Sequence, residues 1–195
     1  MSIIIGLTGP TGSGKSTASK TAKSLGFKVV DCDKLARVAV EKGTKGLADL
    51  TDAFGAQILN EFGGLNRKKL AQIAFYTREN TELLNKTLLP HIVELVKSEI
   101  DEPYVLLDAP TLFESGINSI CSATVAVLAD KDIRLKRICE RDRLDVDSAM
   151  LRINAGKPDD FYLNNADFTI YNNTNEEEFE KEFKKTLCYI KENFQ

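Results

Sequence analysis

Long hydrophobic runs are missing from this 195-residue chain. The apolar stretches Ile3 to Ile5, Tyr104 to Leu107 and Val125 to Ala129 all fall far short of the ~20 residues that cross a bilayer, which argues against a membrane protein. The N-terminal stretch runs into glycine-rich sequence without a basic segment or cleavage site, so no secretory signal is read there and a cytoplasmic location is expected. An excess of positive charge is missing too. The 26 Lys and Arg against 29 Asp and Glu leave a net charge of −3, which argues against a broad, sequence-independent grip on DNA or RNA. Histidine occurs once, as His91, with no ligand partner at helical spacing, which speaks against a histidine metal site or general base. The four cysteines, Cys32, Cys121, Cys139 and Cys188, form no C-x-x-C pair; buried free thiols in a reducing compartment fit better than a zinc knuckle or redox motif. Internal repeats and low-complexity tracts are also absent.

What is present is a balanced globular composition, 43% hydrophobic and 28% charged, in a chain long enough for one α/β domain without disulfides or a structural metal. Buried-strand patterns recur at Ile3 to Leu7, Phe27 to Val30, Tyr104 to Leu107, Ala123 to Leu128 and Phe168 to Tyr171. Helical periodicity marks Lys15 to Leu25, Lys34 to Lys42, Arg67 to Phe75, Glu82 to Ile100, Lys131 to Arg141, Val146 to Asn154 and Asn175 to Asn193. Strands alternating with helices predict a mostly parallel sheet of about five strands with helices on both faces. The stretch from Lys34 to Glu102 holds several helical patterns and no convincing strand. It reads as a helical insertion, placed either to hold a second substrate over the strand ends or only to cover the sheet.

Gly9-Pro10-Thr11-Gly12-Ser13-Gly14-Lys15-Ser16-Thr17 fits the phosphate-loop pattern G-x-x-x-x-G-K-[ST], and it lies between the first strand and the first helix, where the mechanism needs it. Its glycines let successive amide N–H groups turn toward phosphate oxygens at a helix N-terminus. Lys15 is expected at the β- and γ-phosphates, Ser16 on Mg²⁺, and Thr17 on the α-phosphate side or packed in the first turn. Thr17 also stands where a dinucleotide fingerprint needs a third glycine or alanine. The guanine-reading Asn/Thr-Lys-x-Asp motif is absent, and Asp108 is followed by Ala109-Pro110-Thr111 rather than by a GTPase switch. An ATP-dependent kinase is therefore favoured. Asp108, at the end of the third strand, is either the Mg²⁺ carboxylate or a cap for the following turn.

An acceptor hydroxyl needs a carboxylate near the loop. Asp31-Cys32-Asp33 follows the second strand, and strand alternation sends both aspartates to one side. Asp33 can serve as base or as the N-cap of a helix beginning at Lys34. Thr8 can bond the acceptor, bond that carboxylate, or be a loop residue only. Arg134, Arg137 and Arg141 stand at i, i+3 and i+7 on one helix face. With Arg143 and Arg152 beyond a break they outline either a basic lid over a triphosphate or a solvated charged face.

The order Gly6-Leu7-Thr8-Gly9 to Thr17, Asp31 to Arg37, Phe54-Gly55, Gly64-Leu65-Asn66-Arg67, Leu84-Asn85 before Pro90, Asp108 to Glu114, Arg134 to Asp142, Ala166-Asp167 and Asn172 resembles the dephospho-CoA kinase family from Ile3 to Asn172. The resemblance implies one P-loop kinase domain over 1–195, with the insertion 34–102 for the acceptor and a lid at about 134–157. It implies transfer of the ATP γ-phosphate to the ribose 3′-hydroxyl of dephospho-CoA, the closing step of coenzyme A synthesis. In that scheme Asp33 orients or deprotonates the hydroxyl, and Lys15, Arg137 and Arg141 neutralise the moving phosphoryl group. ATP meets Pro10 to Thr17 and Asn172. The acceptor meets Thr8, Asp33, Arg37, Asp108 and Leu112. Mg²⁺ is held by Ser16 and by Asp108, directly or through water. The implied partners are ATP and dephospho-CoA, with no tightly bound organic cofactor, nucleic acid, membrane or obligate protein. The chain departs from the family pattern at Leu89-Pro90, where the usual histidine is displaced to His91, and no histidine role is carried over. It departs again at Thr111 for leucine, Arg134 for glutamine, Arg143 for a frequent glycine and Gly156 for glutamine. The alternatives are another P-loop nucleoside or nucleotide kinase and a nucleotide-gated binding protein.

Overall fold

The structure, a computed structural model, describes residues 2–194. Its strands are β1 (Ile3–Thr8), β2 (Lys28–Asp31), β3 (Tyr104–Asp108), β4 (Ala123–Leu128) and β5 (Phe168–Tyr171), and the nine α-helices among the described residues are numbered below in chain order. The strands form one sheet in the order β2-β3-β1-β4-β5. β1 pairs in parallel with β3, Ile5 opposite Leu106, and with β4, Leu7 opposite Val125, while β4 pairs in parallel with β5. β1 is thus central, and its continuous apolar run follows from burial on both faces.

The chain divides into two compact units. One comprises the described residues up to Val30, Glu102–Leu112 and those from Ile120 onward; the other comprises Asp31–Asp101 and Phe113–Ser119. The first holds the sheet with α1 (Lys15–Ser24), α6 (Lys131–Asp142), α7 (Val146–Asn154), α8 (Asp159–Asn165) and α9 (Glu176–Asn193). Ile3, Ile5 and Leu7 alternate onto one face of β1 and pack with Ala18 and Ala22 of α1 and with Phe179, Phe183, Leu187 and Ile190 of α9. The α9 residues recur at helical spacing, so one stripe of that helix is buried. Its start is fixed by the Asn175 side chain, which accepts from the Glu178 amide at 2.9 Å, and three glutamates in the first turn complement the helix dipole. Tyr162 of α8 packs beneath Ala126 and Leu128 of β4. Ile138 of α6 meets Ala149 and Ile153 of α7 in a separate small core.

The second unit is helical: α2 (Cys32–Val38), α3 (Lys45–Phe54), α4 (Arg67–Ala74) and α5 (Arg78–Ser98). The long α5 packs against the other three. Thr44, Asn66 and Thr77 N-cap α3, α4 and α5 through bonds to the amides of Leu47, Lys69 and Asn80. The side-chain amide of Asn85 donates to the Glu114 carbonyl at 2.6 Å, which ties Phe113–Ser119 to α5.

The five expected strands all form, each within one residue of its expected ends. The helices differ more. α3 and α8 were not foreseen as separate helices, and α5 begins four residues early because Thr77 caps it. α2 starts at Cys32, and the N-cap is Asp31, whose carboxylate accepts from the Lys34 amide at 2.9 Å. Asp33 is therefore not the cap. It lies in the first helical turn, and the strand-like alternation expected of Asp31 and Asp33 ends where Asp31 captures that amide.

Candidate active site

Three glycines shape the turn between β1 and α1. Gly9, Gly12 and Gly14 have φ values of 144°, 80° and 107°, a region that L side chains rarely enter. A Cβ on Gly9 would collide with the Val127 carbonyl, and one on Gly14 with the Asn172 side-chain amide. Gly14 is the N-cap of α1 and supplies no side-chain cap, so the first amides of α1 point into the loop as donors suited to an anion. The Lys15 ammonium arches back over the loop and donates to the carbonyls of Gly9 at 2.7 Å and Pro10 at 3.2 Å. Ser13 Oγ is buried without a hydrogen-bond partner, a hydroxyl that a phosphate oxygen would satisfy. Ser16 is exposed and Thr17 and Thr11 are half-buried.

A bracket from α6 and the end of β5 closes on this loop. The Arg137 guanidinium donates to the carbonyls of Gly12 (3.4 Å) and Ser13 (3.3 Å) and to both the carbonyl and Oδ1 of Asn172 (3.1 Å each). Asn172, 5% exposed, donates its side-chain amide to the Ser13 carbonyl at 2.9 Å, and its backbone N–H to Leu128 at 2.8 Å. The loop is thereby pinned to the carboxyl ends of β4 and β5. Burial lowers the pKa of Arg137 from its ordinary value, and the four carbonyl-type acceptors answer the guanidinium's need for partners.

The three arginines expected to share a phosphate-facing arc do not do so. Arg134, 5% exposed, turns away and pairs with Asp159 of α8 at 2.9 Å, because a buried guanidinium requires a partner. Arg141 is exposed and donates through Nε and Nη2 to its neighbour Asp142, both at 2.8 Å. Asp142 also receives Arg152 of α7 at 2.5 Å. Hydrogen bonding from Arg141, with help from the charges of both arginines, holds the Asp142 carboxyl below its ordinary range. Arg143, at the end of α6, adopts φ 53° and ψ 42° and is the lone non-glycine residue with positive φ among those described.

Asp108 ends β3, and Ser19 of α1 donates to its Oδ2 at 2.8 Å. Thr8 is the last residue of β1 rather than a loop residue. It is fully buried and donates its hydroxyl to the Pro110 carbonyl at 3.2 Å. Leu112 is fully buried, and a Cβ on Gly6 would stand 2.7 Å from its methyl group, so Gly6 is bare to admit it. Asp33 and Arg37 belong to the helical unit, both exposed and four residues apart on α2. The sheet unit thus brings together the loop, Lys15, Arg137 and Asn172. Sequence reasoning overlooked Ser19, although it stands one turn beyond Lys15, and Asp142, although it neighbours Arg141.

Among the described residues no group of three or more His, Cys, Asp and Glu is placed to hold a metal ion, and no helix is long and apolar enough to cross a membrane. The Ser16 hydroxyl and the Asp108 carboxylate are oxygen donors of the kind Mg²⁺ takes, an ion that keeps most of its water and binds through one or two protein oxygens plus substrate phosphates.

The family model described as dephospho-CoA kinase matches residues 3–178. A dephospho-CoA kinase from Listeria innocua is 40% identical over 192 residues, covering 95% of this chain and 94% of its own. One from Fusobacterium nucleatum is 37% identical over 186 residues, covering 94% and 96%. Among solved structures, TT1252 from Thermus thermophilus superposes with a TM-score of 0.76 at 30% identity, over 97% of this chain and 98% of that one. A shikimate kinase from Acinetobacter baumannii, at 19% identity and a TM-score of 0.55, over 99% and 95%, shares the P-loop kinase fold.

Proposed function

The chain belongs to the dephospho-CoA kinase family, and from that premise we propose how its own residues divide the work. The reaction is the transfer of the ATP γ-phosphate to the ribose 3′-hydroxyl of dephospho-CoA, the last step of coenzyme A biosynthesis. The observation that carries the assignment of the donor side is the glycine loop at the N-terminus of α1, with Lys15 arched over it and Arg137 and Asn172 bonded to its carbonyls.

ATP settles its phosphates on the loop amides and the Ser13 hydroxyl, and Lys15 exchanges its two carbonyl partners for phosphate oxygens. Arg137 acts first as a brace for the loop. Arg141 exchanges Asp142 for the transferring group, where its charge counters the negative charge of the phosphates. Ser16 and Asp108 would hold Mg²⁺, with Ser19 fixing the carboxylate; the ion, when bound, neutralises charge on the β- and γ-phosphates. Asp33 accepts the proton of the 3′-hydroxyl and orients it for attack, and Arg37 meets the acceptor's diphosphate. Thr8 and Leu112 support the acceptor side through packing, given that both are fully buried. The residues 34–102 take the acceptor, and about 134–157 form the lid over the donor. Water-soluble substrates support the cytoplasm as the place of work.

The test is an acceptor assay with MgATP. Conversion of dephospho-CoA to coenzyme A, with adenosine and nucleoside monophosphates left untouched, is the expected result. Turnover of a nucleoside in place of dephospho-CoA would assign the site to another kinase.

A further inference from the structure

Two guanidinium groups meet on one carboxylate at the carboxyl end of α6. Arg141 donates from Nε to Asp142 Oδ1 and from Nη2 to Oδ2, both at 2.8 Å, the forked geometry that a guanidinium also offers to a phosphate. Arg152, ten positions beyond Asp142, donates from Nη1 to the same Oδ2 at 2.5 Å. It arrives there because the left-handed backbone of Arg143 ends α6 and α7 then packs back on α6 through Ile138, Ala149 and Ile153. Arg141 and Arg152 keep 59% and 54% of their side-chain surface in solvent, whereas Asp142 keeps 20%. The carboxylate is the covered member, seated between two cations that solutes can reach.

The place of this node follows from α6. Arg137 donates to the Gly12 and Ser13 carbonyls and so marks the face of α6 that is turned to the phosphate loop. Arg141 stands one turn further along that face, a rise of ~6 Å, and Arg152 comes with it through the carboxylate they share. An anion extending from the loop along this face meets two guanidinium groups already occupied by an internal anion. The two anions are unequal. Asp142 offers one negative charge and two oxygens, while a terminal phosphate brings up to about two charges and three oxygens.

We propose that Asp142 is an internal competitor of the ATP γ-phosphate for Arg141 and Arg152, which makes the engagement of both arginines conditional on a triphosphate. This rests on the reading that Arg141 meets the transferring group. Without nucleotide the carboxylate holds the two guanidinium groups together. ADP, whose phosphates end on the loop, leaves them there. ATP adds the γ-phosphate, which displaces Asp142 and takes Arg152 along with Arg141. Once the phosphoryl group has left, Asp142 recovers both. Asp142 is therefore a positioning residue, acting through the arginines without touching substrate.

Calorimetric binding of ADP and of a non-hydrolysable ATP analogue, with no acceptor present, decides it. Asp142→Asn keeps the shape of the side chain and removes its charge. It is expected to tighten binding of the analogue roughly three- to tenfold, the worth of one or two exposed ion pairs no longer in competition, and to leave ADP affinity unchanged. Arg152→Gln is expected to weaken the analogue roughly tenfold, again without effect on ADP. In the wild type, the Arg141 Nε–H resonance, assigned by its loss in Arg141→Gln, should move on addition of the analogue and stay in place with ADP. An analogue affinity unchanged or weakened in Asp142→Asn, an equal gain for ADP, or a wild-type Arg141 resonance that answers both nucleotides alike overturns the proposal. If Arg141→Gln binds the analogue as tightly as the wild type does, the assignment of Arg141 to the transferring group fails and the proposal falls with it. If Arg141→Gln weakens the analogue while Asp142→Asn changes nothing, that assignment stands and the competition alone is refuted.

Discussion

Arg134 lies one turn before Arg137 on α6, yet it bonds Asp159, whereas Arg137 bonds the loop carbonyls and Asn172. Helical spacing places guanidinium groups on a face, but the partners within reach decide where each one points. The same holds for the aspartates after β2: Asp31 is consumed by a cap and Asp33 is left exposed in the first turn. In the proposed division of work Asp33 is the base for the acceptor hydroxyl. Asp33→Asn is therefore expected to lower kcat by roughly 10²–10⁴-fold, the usual worth of a positioned general base, with ATP affinity nearly unchanged. Steady-state kinetics together with direct nucleotide binding checks this, and an unaltered kcat would remove Asp33 from the mechanism. Arg143 makes a different point. Its left-handed backbone costs a side chain ~1–2 kcal/mol that glycine avoids, although glycine gives part of this back through unfolded-chain entropy. Arg143→Gly is expected to stabilise the protein by about 0.5–1 kcal/mol, seen as a higher urea midpoint with an unchanged m-value. A lower midpoint would mean that the arginine side chain contributes more than its backbone costs.

At the level of elements, α6 and α7 are joined by one apolar contact set, Ile138 with Ala149 and Ile153, and by one polar node, Asp142 receiving Arg141 and Arg152. Asp145 starts α7 by accepting from the amide and hydroxyl of Ser148, and those bonds hold its carboxyl below the usual range. Both carboxylates have folded pKa values below their unfolded ones, so what they contribute is present above the ordinary carboxylate range and is lost as pH falls through the depressed values. Asp142→Asn should therefore speed hydrogen exchange in residues 146–154 at neutral pH, and this difference from the wild type should shrink under acid conditions where Asp142 is protonated. Equal exchange in both proteins at neutral pH would show that the apolar contacts suffice. The strands were legible because parallel strands buried on both faces are written as plain apolar runs. The short α8 and the glycine-bearing α3 dilute the helical period below recognition. The loop was legible residue by residue, since its chemistry is local. The Arg137–Asn172–Ser13 bracket was not, because its members lie 35 and 159 positions apart in sequence and only the sheet order brings them together.

At the level of the whole molecule, stability against alkali is set in part by a thiol packed beside the central strand. A Cβ on Gly6 of β1 would lie 2.9 Å from Cys121 Sγ, so Cys121 fills space that β1 leaves open. Burial, reinforced by the negative charge of Asp167, pushes its pKa from 9.0 up to about 12. Asp167 cannot move off to relieve this, for its carboxylate accepts from both the amide and hydroxyl of Thr124, at 2.8 and 2.7 Å. Below the ordinary thiol value both folded and unfolded chains keep the proton, and no stability is at stake. As pH rises past it, the unfolded chain ionises while the folded one does not, so folding loses up to ~1.4 kcal/mol per pH unit from this group until the folded thiol ionises in turn. The expected result is a urea midpoint that falls between pH 8 and pH 10 in the wild type and falls less steeply in Cys121→Ala, which has no proton to lose. Tyrosines and lysines that titrate in the same range contribute equally to both proteins and cancel in the comparison. Parallel slopes for the two proteins would show that the thiol is already ionised, or fully solvated, in the folded state.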